Sequence, residues 1–533
     1  MAIPDAQREV AAFLAALSGA APIETHISLV FLGPDTVWKL KKSVALSFLD
    51  FSTIEARRRF CLRELELNAP AALGLYRDVV PILRGADGGL LIGGIADEGI
   101  GGIADEGIGG IAGEGIGGMA GEAGAVDWVL RMARVPAEDF LDRIAARGAL
   151  DPPLLDRLAD TVAAYHQGLP PVKTTEPAAA MRRVLDGNLR ASRAAGLDPI
   201  ALAAWQAAIV PALDRLAPWL GQRGAEGFVR RGHGDLHLGN LCLWQGRPVP
   251  FDALEFDEDL ATIDVGYDLA FLLMDLDQRV GRPAANQMLN RAIARTGDAA
   301  MLRGLPVFLS LRAIIRAHVE AARGNAAASQ AYLAAANLYL EASSGSVIIA
   351  IGGLPGTGKS TLARALAPEL GPAPGALVAR SDEIRKRLHG VAPEVKLPST
   401  AYSEAVSTQV FAELAGQAET AARAGHAVIA DATFLDPRHR AALQNAAATA
   451  GVRFLGIWLQ APLDVLSARI ARRNAQQADA SDATPAILHA AARAPNAVHP
   501  SGKGECWIAI PALDRDAALA AARKAVMSLP AMC

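Results

Sequence analysis

The chain has 533 residues, 51% hydrophobic and 20% charged. It is too long for one comfortable core and too apolar for a disordered or purely solvating chain, so two or three folded domains are expected. With 52 basic and 56 acidic side chains the formal charge is −4, which excludes a global basic footprint and makes nucleic acid an unlikely partner.

Residues 1–21 read as a short alanine-rich helix with Val10, Phe13, Leu14 and Leu17 near one side. The strand-like pieces HISLVFLG and DTVWKLKK follow, parted by a Gly-Pro-Asp turn. The run Thr53 to Asn68 is helical in character, and YRDVVPIL returns to strand. Residues 93–124 then divide into the units GGIADEGI, GGIADEGI, GGIAGEGI and GGMAGEAG. Eight residues are too short for a helical repeat, each unit carries too few acids for a calcium cage, and no GK[ST] ending is present. The tract is expected to be a hairpin loop expanded by duplication, with a small glycine-rich coil as the alternative. AVDWVLRMARV reads as a strand leading toward a hinge, and residues 137–220 are mostly helical.

Residues 228–257 change character, with histidine, aspartate and asparagine in short strand-and-loop pieces. His233-Gly-Asp235-Leu-His237-Leu-Gly-Asn240 sets a carboxylate and an amide five residues apart. Such a loop can hold Asp235 against an acceptor hydroxyl while Asn240 reaches Mg²⁺. The flanking glycines argue against a helical histidine pair for metal, and no H-E-x-x-H exists. After the short strand RPVPF come Asp252, Glu255 and Asp257, carboxylates able to hold Mg²⁺ with nucleotide phosphates or simply to form a solvated acidic loop.

These residues resemble the aminoglycoside phosphotransferase-like and choline-kinase-like proteins, carried by HGDLHLGN and LEFDEDLATIDVGYDLAFLLMDL. The resemblance implies a bilobal protein-kinase-like fold, with Asp235 as catalytic base and Asn240 as metal ligand. Glu255 stands where that family has its magnesium-binding aspartate, with Asp257 as a neighbouring alternative. Lys39 fits the phosphate-contacting strand lysine and Glu64 its helical partner, although Lys41 shares the strand face and Glu66 is also available. Asp264 and Asp268 brace the following helix, and His166 is structural. No glycine-rich nucleotide loop is evident near HISLVFLGPDT.

Helices resume from about Tyr267 to Ala342. Glu341-Ala-Ser-Ser-Gly-Ser346 is a small polar joint, and the domain boundary is expected near 343. Beyond it, VIIAI, ALVAR, HAVIADA and RFLGIWLQA alternate with helical stretches, the pattern of a parallel α/β sheet. Gly353-Leu-Pro-Gly356-Thr-Gly358-Lys359-Ser360 matches G-x-x-x-x-G-K-[ST] in full, and it lies between an apolar strand and the helical stretch opened by Thr361. The glycines let backbone N–H groups curl around phosphates at a helix N-terminus. Lys359 is expected at the β/γ-phosphates and Ser360 on Mg²⁺. Asp431 closes a second strand and could organise Mg²⁺ or activate an acceptor. Asp382 and Arg385 follow ALVAR, at a position that resembles the one facing the phosphoryl acceptor in small P-loop kinases; a helix cap by Ser381 or Asp382 is the alternative, and both roles can coexist. Arg469, Arg472 and Arg473 are placed on a lid, where one could neutralise the transferring group.

GLPGTGKST, RSDEIRK, VIADATFLDPRHR and the arginine-bearing segment ending in DASDA resemble the small P-loop kinases of the zeta-toxin, gluconate-kinase and polynucleotide-kinase type. The order of the two halves resembles bacterial bifunctional fusions of an aminoglycoside phosphotransferase-like and an ATP-binding domain. The expected architecture is a phosphotransferase-like domain over 1–342 and a P-loop kinase-like domain over 343–533. The first has an N-lobe at about 22–130, interrupted by the repeats, and a C-lobe at about 131–342.

The expected chemistry is γ-phosphoryl transfer from ATP, or GTP, with Mg²⁺, to a small hydroxylated acceptor. A nucleotide switch regulating a kinase-like or degenerate half, and a nucleic-acid end kinase, are the alternatives. The two domains are expected to interact. The scattered cysteines Cys61, Cys242, Cys506 and Cys533 suggest no disulfide framework. No charge-free apolar run is long enough to span a bilayer and no secretory signal opens the chain, so a cytoplasmic protein without a membrane partner is expected.

Overall fold

The structure is a computed structural model that describes residues 3–46, 49–93, 124–174, 176–341, 345–476, 480–493 and 506–528. The repeats over 94–123 and the expected boundary near 343 lie outside the described residues. The chain forms two compact units. One is Met1–Arg143 with His233–Asp235 and Gly239–Ala261; the other is Ile144–Gly232, Leu236–Leu238 and Thr262–Cys533.

The first unit is built on a six-stranded antiparallel sheet in the spatial order Ile23–Glu24, Ser28–Leu32, Thr36–Lys41, Ala125–Ala133, Tyr76–Arg84, Leu90–Ile92. Alternation does the sorting: Leu29, Phe31, Trp38, Leu40, Val80, Ile82 and Val129 turn to one face and close a core with Val10 and Leu14 of the helix Arg8–Ser18. The helix Ile54–Asn68, capped by Thr53 Oγ1 accepting from Ala56 N at 3.1 Å, contacts the strands Tyr76–Arg84 and Ala125–Ala133. Its inward residues are Arg57, Cys61, Glu64 and Asn68. The spacing is helical, but the face is polar.

The second unit joins a helical bundle to a five-stranded, all-parallel sheet. The sheet order is Leu377–Arg380, Val428–Asp431, Val347–Gly353, Arg453–Gln460, Trp507–Pro511. Its strands are buried runs of Val, Ile, Leu and Ala, as a sheet covered on both faces requires. The edge strand Trp507–Pro511 is not among the strands expected from sequence. Its Trp507 ring lies over Gly456 so closely that a Cβ there would meet the ring at 2.1 Å.

Helix Arg282–Thr296 of the bundle packs on this sheet. Asn286 Nδ2 donates to Ala376 O at 3.0 Å, Asn290 Oδ1 accepts from Val378 N at 2.7 Å, and Arg291 bridges Asp160 and Glu394. Elsewhere in the bundle His166 Nε2 lies 3.0 Å from Asp268, and Asp264 accepts from Gly266 N and pairs with Arg223. Among the described residues, Pro199–Glu226 is the helix long and apolar enough to cross a membrane by length and composition. It contains Pro211 and Pro218 and buries Trp205, Ile209 and Trp219, with Trp205 Nε1 donating to Ser310 Oγ at 2.8 Å. Cys61 and Cys242 are buried thiols, each pushed up to about 12 mainly by burial.

Candidate functional site

The phosphate loop leaves the central strand Val347–Gly353 and enters the helix Lys359–Leu366. Gly353, Gly356 and Gly358 hold φ of 133°, 85° and 92°, left-handed conformations that side-chain-bearing residues rarely adopt. At Gly353 a Cβ would also meet Leu459 O at 2.6 Å. Lys359 Nζ arches back over the loop, donating to Gly353 O at 3.1 Å and Leu354 O at 3.0 Å. Burial holds its pKa below the ordinary lysine value, while Asp431 and Asp382 pull it upward. Thr361 follows Ser360 on the first turn and lines the same cavity.

That cavity, of about 600 Å³, brings together the phosphate loop, Asp382, Asp431 and the arginines of the helix Leu463–Gln476. Asp382 opens the helix Ser381–Leu388 at the end of Leu377–Arg380, and Asp431 ends the adjacent strand. Arg385 reaches the cavity but is tied down: Nη1 donates to Ala401 O at 2.7 Å and the guanidinium lies 4.6 Å over the Tyr402 ring. Arg469 also lines it, with its fork on Ala512 O and Leu513 O at 2.8 and 2.9 Å. Arg473 donates to Ala483 O at 3.2 Å, and Arg472 is exposed.

Three residues of this cavity escape sequence reasoning. Asp482 accepts from Lys386 Nζ at 2.6 Å and Tyr402 O–H at 2.5 Å, joining the segment beyond the helix Leu463–Gln476 to the helix Ser381–Leu388 and the turn that follows it. Burial opposes its ionisation, yet these bonds hold it below the ordinary carboxylate value. Contacts across 80 and 96 positions leave no local signal for Asp482 or Tyr402. Arg380 Nη2 donates to Ser360 Oγ at 3.0 Å and Nε to Asp431 Oδ2 at 3.1 Å. The available clue was a basic residue closing an otherwise apolar strand.

In the first unit, Lys39 and Lys41 lie on one face of Thr36–Lys41 and both bond Glu64, at 2.7 and 2.8 Å. Lys39 also pairs with Asp252, and Lys41 with Glu255. Three carboxylates thus share two ammonium groups. Burial opposes ionisation of Glu64, but the two lysines bring its pKa down to about 2. Glu255 goes the other way, pushed up by burial and by Glu64 and Asp252 against the pull of Lys41.

Asp252 has φ of 60° and its N–H donates to Tyr76 Oη at 2.9 Å. Its side chain is 42% exposed, whereas that of Glu255 is 5% exposed and locked onto Lys41. Asp257 is drawn away, accepting from Leu260 N at 2.9 Å, and Glu66 pairs with Arg63 rather than with a strand lysine. Asn240 Nδ2 donates to Asp235 Oδ2 at 2.9 Å and to its backbone O at 3.0 Å. His233 Nε2 lies 2.9 Å from Phe251 O, tying this loop to the residue before Asp252.

The chain carries a domain of the phosphotransferase enzyme family, matched over residues 113–305, and an AAA-class P-loop domain, matched over 348–494. The first match begins beyond Lys39 and Glu64. Uncharacterised proteins of Mycobacterium tuberculosis and Mycobacterium bovis are 30% identical over 485 residues, covering 88% of this chain and 89% of theirs. The chain belongs to their family. Among solved structures it is similar to the GDP complex of aminoglycoside 2′-phosphotransferase-IIIa (14% identity, 59% of this chain and 90% of that one, TM-score 0.34). It is also similar to a gluconokinase from Sinorhizobium meliloti (19% identity, 34% and 94%, TM-score 0.24).

Proposed function

We propose that the chain transfers the γ-phosphoryl group of ATP, with GTP as the alternative donor, to a small hydroxylated acceptor in the presence of Mg²⁺. The observation that carries this is the P-loop cavity, where a phosphate cradle, two strand-end acids and lid arginines face one space. Lys359 and the loop N–H groups receive the β/γ-phosphates, and Asp382 takes the proton of the acceptor hydroxyl, aided by Arg385. Arg473 and Arg469 grip the nucleotide from the lid side. Transfer breaks the bond between the γ-phosphorus and its bridging oxygen and forms one to the acceptor oxygen, with charge spread over the γ-oxygens.

Among the described residues no cluster of three or more His, Cys, Asp or Glu forms a metal cage. Mg²⁺ needs none, since it commonly takes one or two protein ligands with phosphate oxygens and water. Ser360 and Asp431 fit it: both already bond one cationic group. The ion would neutralise charge developing on the phosphates.

We assign the phosphotransferase-like half, residues 1–342, a second site of the same class, and the P-loop half residues 343–533. Asp235 is the base, held by Asn240; Lys39, set by Glu64, faces phosphate. Asp252 and Asn240 take the metal side, while Glu255 and Asp257 serve structure. The location is cytoplasmic, with neither nucleic acid nor membrane as partner. A second reading, a regulatory first half, is favoured by the way its lysines are closed onto their own carboxylates.

The test is label transfer from γ-labelled ATP or GTP into a pooled metabolite extract, comparing wild type with Lys359→Ala and Asp235→Ala. Separate products lost in each variant support two kinases. Loss only in Lys359→Ala makes the first half regulatory. Free phosphate without any acceptor product overturns the kinase reading in favour of a switch.

A further inference from the structure

Arg380 does a job that phosphate binding and acceptor activation leave unexplained. It is 3% exposed, and besides Ser360 Oγ and Asp431 Oδ2 it gives Nη1 to Glu383 Oε1 at 2.6 Å. Two of these three acceptors are the hydroxyl and carboxylate assigned above to the metal side, and the inference rests on that reading. A guanidinium keeps its charge at any physiological pH and presents several donors in one plane. It therefore satisfies, without nucleotide, the same pair of oxygens that a divalent cation would address.

The pair cannot serve both cations well. Charges of like sign a few Å apart in a buried place repel strongly. Glu383 supplies a retreat. It is buried on the first turn of Ser381–Leu388, already bonded to Arg380 and within 3.7 Å of Arg364. The guanidinium can give up Ser360 and Asp431 and keep one ionic partner.

We propose that Arg380 is a resident cation that competes with the divalent metal for Ser360 and Asp431 and sets how strongly metal and nucleotide binding are coupled. It is a positioning residue. It supports nucleotide phosphates when metal is scarce and raises the metal concentration at which the site fills.

The test uses the full chain and a non-hydrolysable ATP analogue. Its affinity is measured by calorimetry with EDTA and across a Mg²⁺ titration, for wild type, Arg380→Met, Arg380→Lys and Glu383→Gln, with thermal melts as the folding control. In Arg380→Met the Mg²⁺ midpoint should fall about tenfold and the affinity gain from Mg²⁺ rise by a similar factor, within the usual range of coupling between sites. Arg380→Lys should fall between. Glu383→Gln removes the retreat and should move the midpoint the other way, which keeps the idea testable if Arg380→Met does not fold. A midpoint and gain unchanged in both Arg380→Met and Glu383→Gln overturn the role of Arg380. A wild-type affinity indifferent to Mg²⁺ overturns the metal reading itself, a different result from the first.

Discussion

The two candidate sites are held in place by opposite means. The phosphate loop hangs from a parallel sheet whose core is Val347, Ile349, Ile351, Ile429, Leu455 and Ile457; Lys359, Asp382 and the arginines of Leu463–Gln476 face the cavity, and a buried ionic group there, Arg380 with Asp431 and Glu383, stands behind them at the strand ends. The Lys39 site leans on a helix whose inward face is Arg57, Cys61, Glu64 and Asn68. Each polar member has a partner: Arg57 with Asp127 at 2.8 Å, Glu64 with both lysines, and Asn68 with Glu64 O and Ala253 N. Apolar packing tolerates the loss of one charge at its rim. A buried polar network does not, because each deletion strands a partner away from water. Substitutions should therefore separate the sites, damaging stability in one and chemistry in the other.

The largest expected effect is Glu64→Gln. Removing one member of a buried ionic network costs about 3–5 kcal/mol, because the uncompensated partner stays behind. Urea denaturation of the full chain should lose that stability in the first transition to melt, whereas Asp382→Asn, at the cavity rim, should change little. Equal costs would show that both sites stand on the same footing.

The pH dependence has a definite sign. The Glu64 pKa is depressed from 4.5 to about 2, so its contribution is present above 4.5 and disappears as pH falls toward 2. Glu255 is raised and acts in the reverse sense, gaining stability on protonation. The stability gap between wild type and Glu64→Gln should accordingly close between these two pH values. A gap constant through that window would place the cost in packing.

Lys359→Ala should leave the melt nearly unchanged and lower kcat/KM of the P-loop-dependent product by about 10²–10³, the usual loss for one positioned charge-stabilising donor. Loss of activity together with a large loss of stability would erase the contrast between the sites.

The same contrast explains what was legible in sequence. VIIAI, ALVAR and HAVIADA announce themselves because buried parallel strands are continuous apolar runs, and the phosphate loop because its glycines must reach positive φ. The helix Ile54–Asn68 was legible as a helix, and Lys39 and Glu64 as partners. Periodicity of hydrophobic residues could not show that Lys41 also closes on Glu64 and Glu255, since those charged side chains interrupt the apolar pattern of the faces they share with Val37 and Cys61. The edge strand Trp507–Pro511 carries little local signal because it lies far along the chain from its parallel partner Arg453–Gln460, and Trp507 packs over Gly456 across 51 positions. In sequence Arg380 is only the end of a strand; its meaning depends on Asp431 standing opposite it in the parallel register.

The smallest expected effect is that of Thr53→Ala. Thr53 Oγ1 satisfies the Ala56 N–H at the start of the helix that carries Glu64. Loss of such a cap costs typically about 1 kcal/mol. In a helix docked by apolar packing that cost would stay local. Here the first turn also sets Arg57, whose Nη1 bonds Phe51 O at 3.0 Å and whose Nε bonds Asp127. Fraying should therefore travel along the polar face toward Glu64. Hydrogen exchange on the Thr53→Ala variant should show faster exchange through Arg57 and Cys61 as well as at Ala56. Protection lost at Ala56 alone would mean that the polar network is firm enough to stand without its cap.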